Sequence, residues 1–342
     1  LAPYREDGPA FRVVIDDGWQ VGWGDWQPNE KFPEGLDGLA ASLKEDGFEV
    51  GVWLAPMLVH EDSPLVAAHP EWFMPDATWT HPQQGRMHIL DVTHPGAAAH
   101  LKGFVSTLVG WGYDFLKIDF LFAATFEGTH MTPMTGMAHL HLALSLIREA
   151  AGESTQLVAV GAPHMGVIPY VDVWRVGGDI AFNTFDMVWP FIPNQLRSVA
   201  SRWPICQVTL CDADPVILRV LPQNEIDLGA WVVAAGGGAL FLSDDLRALP
   251  EARRGWGLDD GRYGLGHWGQ GAIPEDLWPK DPPTALTSPV ADYLSDTNGH
   301  VVPRIWTMQD TRRVVFNIED EAITVEGTQV PPRSVVVLDA AP

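Results

Sequence analysis

The chain has 342 residues, 46 % hydrophobic and 19 % charged, enough for a large core and a small second domain. A net charge of −23 repels phosphate backbones and anionic lipid, which argues against nucleic-acid and membrane partners and favours a neutral ligand. No apolar run is long enough to span a membrane, and fifteen Trp against five Tyr suit either a big core or the stacking of sugar rings.

Short β-rich apolar runs alternate with helical stretches, the pattern of parallel βαβ units. The runs predict strands at 12–16, 49–54, 87–91, 115–119, 157–161, 171–176, 205–210 and 239–243. Helices are predicted at 35–46, 97–111, 133–151, 194–202 and 224–234, with Gly47, Gly112 and Gly152 as C-caps. Eight such units predict an α/β fold, a (β/α)8 TIM barrel over residues 1–250, with an open doubly wound sheet as the competing topology. Residues 251–284 read as an irregular connection, and 285–342 as a small C-terminal antiparallel β-domain. Cys206 and Cys211, five apart, could form a disulfide, but the apolar run around them reads as a buried strand with free thiols, and the cytoplasm is the expected site. The chain opens on Leu1, so an earlier segment or a cleaved signal is compatible with it.

In such a barrel the working residues project from the C-terminal ends of the strands. Here the runs end in Asp16-Asp17, Trp53, Asp91, Lys117-Ile118-Asp119, Arg175 to Asp179, and Asp244-Asp245. Acetal cleavage needs two carboxyl groups, one to exchange a proton and one to attack or stabilise. Lys117 and Asp119, two apart on a strand, face the same side. Asp179 follows two glycines that let backbone approach a ligand, with Arg175 four residues earlier. Either pair could equally be a structural ion pair. Asp16, Asp91, Asp119, Asp244 and Asp245 could build an oxygen cage for a divalent metal. No His stands beside them in a ligand pattern, and His130, His139 and His141 read as structural, so neither metal nor cofactor is expected.

These residues carry a family resemblance. IDDGWQ (15–20), GDWQPNEKFPEGL (24–36), GVWLAPMLV (51–59), HPEWF (69–73) and LDVTHP (90–95) are followed by GYDFLKIDFLFA (112–123), VGAP (160–163), VDVWRVGGD (171–179), DADPVILR (212–219) and SDDL (243–246). In this order the chain resembles the compact bacterial α-galactosidases of glycoside hydrolase family 36. The resemblance implies Asp119 as nucleophile and Asp179 as general acid/base. It implies Asp16 and Asp17 on the sugar's 4- and 6-hydroxyls, Lys117 on neighbouring hydroxyls, and Trp53 near carbon 6. It also implies Arg175 near the 2-hydroxyl, Gly161 beside that position, and Trp26 on the leaving-group side. Many members have a cysteine near the 2-hydroxyl where this chain has Val160, which keeps N-acetylgalactosamine open as substrate. The family's usual N-terminal β-sandwich is expected to lie outside this chain.

The implied reaction is a retaining, exo-acting double displacement on terminal α-linked galactose, with a small carbohydrate as partner and a homo-oligomer compatible with it. On the same fold, an α-N-acetylgalactosaminidase or a raffinose-type transglycosylase are the near alternatives. A non-catalytic sugar-binding protein and a metal-dependent hydrolase are the distant ones.

Overall fold

The computed structural model describes residues 11–181, 189, 191–238, 240–254, 271–275, 302–308 and 311–338. They fall into two compact units, Leu1–Trp174 and Arg175–Pro342. The irregular connection expected at 251–284 lies largely outside the described residues, as do Ala239, 285–301 and 339–342. No helix among the described residues is long and apolar enough to cross a membrane.

In the first unit the chain runs β1 (Arg12–Ile15), β2 (Gln20–Gly22), β3 (Asp25–Pro28), α1 (Gly35–Glu45), β4 (Glu49–Leu54) and β5 (Leu58–His60). It continues through α2 (Pro64–Ala68), β6 (Phe73–His81), β7 (Gly85–Leu90), α3 (Pro95–Gly110) and β8 (Phe115–Ile118). It then adds α4 (Gly136–Ala151), β9 (Gln156–Ala159), α5 (His164–Val167) and β10 (Val173–Arg175). β1, β4, β8, β9 and β10 form a parallel sheet in that order, each crossover carrying helix. Strands buried on both faces read as continuous apolar runs, and β4 is such a strand, with five of its six residues buried. This βα repeat is that of a (β/α)8 barrel. Gly47, Gly112 and Gly152 follow α1, α3 and α4 with φ of 79°, 103° and 75°, the left-handed turn that ends a helix.

The run at 87–91 is not a strand of that sheet. β7 lies between β5 and β6 in a three-stranded antiparallel sheet, so the strand ending at Ile118 is third in the parallel order rather than fourth. The reason is a short connection. Only Pro82, Gln83 and Gln84 separate β6 from β7, and Gly85 takes a φ of 87°, so the segment closes as a hairpin.

The second unit holds α6 (Phe191–Arg202), β11 (Leu210–Asp212), α7 (Gln223–Gly236) and α8 (Glu251–Arg254). Val176 donates to the Asp212 carbonyl at 2.9 Å, which sets β11 against the end of β10, and parallel bridges join Cys211 to Gly237 and Val216 to Leu242. Here too a prediction fails. Residues 205–210 are a 3-10 turn, Ile205–Gln207, that only then enters β11. Cys206 within that turn is joined to Cys211 of β11, rather than free. The turn folds the two sulfurs together, which a straight strand would have held apart.

The C-terminal residues form the expected antiparallel domain. β12 (Ile273–Pro274), β13 (Ile305–Thr307) and β14 (Arg313–Asn317) precede the hairpin of β15 (Ile323–Val325) and β16 (Thr328–Val330), and β17 (Ser334–Leu338) closes the sheet order β12-β13-β14-β17. Val315, Val330 and Leu338 are its core. Seven tryptophans, among them Trp19, Trp53, Trp174 and Trp306, are buried, so much of the tryptophan load serves packing.

Candidate active site

The parallel register explains the first group of functional side chains. Trp53 of β4 stands opposite Lys117 of β8, and Ile15 opposite Val52, so Asp16, one position on, joins the Trp53–Lys117 row. Residues paired across a parallel sheet project from the same face, at the carboxyl ends of their strands. Lys117 reaches along this row and its Nζ lies 2.7 Å from Asp16 Oδ2. Asp119, two residues beyond Lys117, accepts the Trp53 indole N–H at 3.0 Å on one oxygen and the Phe120 backbone N–H at 2.7 Å on the other. Both of its oxygens are acceptors in these bonds.

Asp16 and Asp17 lie past the end of β1, where Gly18 takes a φ of 100° and the chain bends. The bend lets neighbouring residues point apart yet stay at the site. Asp17 accepts from Gln20 Nε2 at 2.6 Å and from Trp23 Nε1 at 3.3 Å, while both aspartates remain exposed. Phe120 has a φ of 54°, an uncommon left-handed backbone for a bulky side chain, directly after Asp119. Its ring packs 5.0 Å from that of Trp23, which lies 5.4 Å from Trp53 and 5.2 Å from His81. Trp79 of the hairpin extends this wall, 5.4 Å from both His81 and Phe120. Burial pushes the His81 imidazole below its ordinary pKa, with the charge of Asp17 opposing.

Gly161 is exposed with a φ of 57°, and a Cβ there would lie 3.5 Å from Asp119 Oδ1. The nucleophile candidate therefore has bare backbone beside it. Trp26 is 4 % exposed, packed among Trp19, Trp53 and Phe104.

Asp91 is placed elsewhere. Its buried carboxylate accepts from the Thr93 N–H and hydroxyl, from the Met131 N–H at 2.7 Å and from His130 Nδ1 at 3.2 Å. Burial raises its pKa, but the bonds from Met131, Thr93 and His130 more than offset that and hold it below the usual carboxylate range. Asp91, His130 and His139 offer ligand atoms within 4.8 Å of one another, a metal-like group missed in the sequence. His139 is already engaged, since its Nε2 accepts the Val92 N–H at 3.1 Å while Nδ1 meets the Ala124 carbonyl at 2.9 Å. His130 Nε2, by contrast, is buried with no hydrogen-bond partner among the described residues. The group ties the hairpin end to the segment leading into α4.

In the second unit Arg175, the last residue of β10, is 5 % exposed. Its Nη1 lies 3.2 Å from Asp179 Oδ1, so the predicted pair is made. Asp212 and Asp214 share the same guanidinium and were missed in the sequence, although their signal was there. A carboxylate ending an apolar run is what marked the other strands, and here the run was closed two residues too early. Burial opposes the charge of Arg175, yet Asp212, Asp214 and Asp179 together raise its pKa. Asp244 accepts from Leu218 and Arg219 backbone N–H groups and from the Arg219 guanidinium, while exposed Asp245 pairs with Arg247. Both serve turns, which leaves little of either for a metal cage.

Known proteins match this arrangement. Residues 6–139 fit the Melibiase family model. An α-galactosidase of Escherichia coli is 32 % identical over 117 residues, 32 % of this chain and 16 % of that protein. An α-galactosidase from Thermus thermophilus, solved in complex with stachyose, is 32 % identical with a TM-score of 0.63, over 72 % of this chain and 56 % of that one. The chain is a relative of the α-galactosidases. A GH27 β-L-arabinopyranosidase from Geobacillus stearothermophilus, 14 % identical with a TM-score of 0.65, shares the fold over 96 % of this chain and 87 % of its own. The chain is thus a glycoside hydrolase homologue with a (β/α)8 barrel of the GH27 and GH36 kind. It spans 16 % of the length of the E. coli relative and just over half of the Thermus one, 56 %.

Proposed function

We propose that the protein is a retaining, exo-acting α-galactosidase that releases terminal α-linked galactose by double displacement. Asp119 attacks the anomeric carbon while Asp179 protonates the leaving oxygen, and Asp179 then takes a proton from the water that frees the sugar. Asp16, Asp17 and Lys117 hold hydroxyls of the bound ring, Trp53 flanks carbon 6, Arg175 serves the 2-hydroxyl side and Trp26 the leaving-group side. The observation that carries this reading is the Asp119 carboxylate at the end of β8, donated to by Trp53 and Phe120 and set beside the Lys117–Asp16 ion pair. Placement in family 36 rather than family 27 rests on the order of the motifs from residue 15 to residue 246. A cytoplasmic site stays part of the proposal; the Cys206–Cys211 disulfide speaks against it, since such bonds persist chiefly in oxidising surroundings.

The test is Asp119→Ala. Its turnover of nitrophenyl α-galactoside should fall by about 10⁴-fold or more. Azide should restore activity by attacking in place of the missing carboxylate and yield the β-galactosyl azide. A variant that keeps wild-type turnover removes Asp119 from the mechanism.

Gly161 supports a second reading. With no side chain at that position, next to Asp119 Oδ1, space is left beside the nucleophile for a larger substituent on carbon 2. An α-N-acetylgalactosaminidase would use it. Rates on the two nitrophenyl glycosides, measured side by side, decide between them.

A further inference from the structure

The second unit spends more charge on Arg175 than neutralising it requires. Nε lies 2.6 Å from Asp212 Oδ2, and Nη1 lies 2.7 Å from Asp214 Oδ1 as well as 3.2 Å from Asp179 Oδ1. One carboxylate would balance one guanidinium. Two more at the same cation carry a desolvation cost, and Asp212 and Asp214 are only 1 % and 5 % exposed. Asp214 is also held with a φ of 70°, a left-handed conformation costly for a non-glycine, and its own N–H donates to Asp212 Oδ1 at 2.8 Å.

The second oxygen of Asp214 shows what this arrangement does. Oδ2 accepts the N–H of Ile180, the residue after Asp179, at 2.7 Å. One carboxylate therefore grips Asp179 twice, through the backbone that follows it and through the guanidinium nitrogen that its side chain shares. Asp179 needs such a grip. Its side chain is 57 % exposed, and the preceding Gly177 and Gly178 supply no side chain of their own to fix it. The glycine side is steadied separately, by Gln195 Nε2 donating to the Gly178 carbonyl.

We infer that Asp214 is a positioning residue for the acid/base Asp179, holding it at the angle from which it protonates the leaving oxygen. This rests on the acid/base reading given above. Burial supports it further, raising the Asp214 pKa to about 7, with Arg175 opposing and Asp179 and Asp212 adding to the rise.

Asp214→Asn keeps the size and an acceptor for Ile180 but turns a donor toward Arg175, so the shared bond is lost. On a graded series of α-galactosides, kcat/KM of this variant should fall about 10²-fold for a sugar leaving group, which needs the acid. For a dinitrophenyl leaving group, which departs unaided, it should change by less than about 3-fold. Loss of fold or general loosening of the site would lower both ends alike, and that uniform drop would overturn the inference. Asp179→Ala is measured in parallel. If it too falls uniformly, the acid/base reading fails first; if it is selective while Asp214→Asn is uniform, only the present inference fails. Where the Asn variant does not fold, Asp214→Ser takes its place. If neither folds, the residue is a determinant of the fold and the inference is overturned.

Discussion

The two carboxylate groups are built on opposite plans. In the first unit Asp119 accepts two N–H groups, Asp17 an amide and an indole, and Asp16 the ammonium of Lys117. In the second unit one buried guanidinium is divided among Asp179, Asp212 and Asp214. Distinct donors allow each group to be ionised on its own, whereas a shared cation couples its partners, so a change at one is felt by the others. The first plan suits groups that must be ionised at the outset, such as the proposed nucleophile, the second a residue proposed to give up and regain a proton.

This contrast can be broken at three further points. The largest effect should come from Lys117→Met, which strips Asp16 of its counter-charge and removes a ligand for the sugar hydroxyls. A loss of about 10²–10³-fold in kcat/KM is expected, comparable to removing one preorganised donor from a reacting site. If steady-state assays show less than 3-fold, roughly a thermal-energy effect, Lys117 is a structural ion pair. Trp53→Phe is milder, because it deletes only the N–H given to Asp119 and keeps most of the ring. Hydrogen bonds to charged groups contribute about 1.5–3 kcal/mol, so kcat should drop about 10- to 100-fold with little change in KM. A rise in KM alone would show that the indole serves binding and not the nucleophile.

The smallest effect concerns stability. Asp214 is raised in the folded chain to about 7 from its ordinary 3.8. Between these values the folded state holds a proton that the unfolded state has lost, so this group makes stability fall as pH rises through the window. Asp214→Asn has no such proton. Its melting temperature relative to the wild type should therefore climb between pH 4 and pH 7, by an amount that paired melting curves read directly. A constant difference across that range would mean the cluster does not titrate there.

Much of the first plan was legible in the sequence. The rule that barrel strands end in working residues pointed to Asp16, Asp17, Trp53, Lys117 and Asp119. The structure brings Asp16 to Lys117 and Trp53 to Asp119 at the ends of β1, β4 and β8, whose apolar runs are unbroken. The same rule misread Asp91, since a hairpin strand and a barrel strand look alike until their partners are known. In the second unit Arg175 and Asp179 were legible as a spaced pair, but the other two carboxylates were not. Val208 and Thr209 continue the apolar run visually, while the chain is still leaving a 3-10 turn stapled by the disulfide. The true strand begins at Leu210 and ends at Asp212. The left-handed backbone of Asp214 is one that aspartate adopts more readily than most residues, but residue type alone does not mark which aspartate takes it.

Phe120 shows how closely the chemistry is written into the chain itself. Its own N–H meets the carboxylate one residue earlier, and its positive φ turns the chain sharply just after that bond. The Asp119 carboxylate thus carries a donor supplied by its immediate neighbour, independent of any distant loop. An aromatic ring at that position is awkward for the turn, yet the stack of Trp23, His81 and Trp79 gives it somewhere to lie.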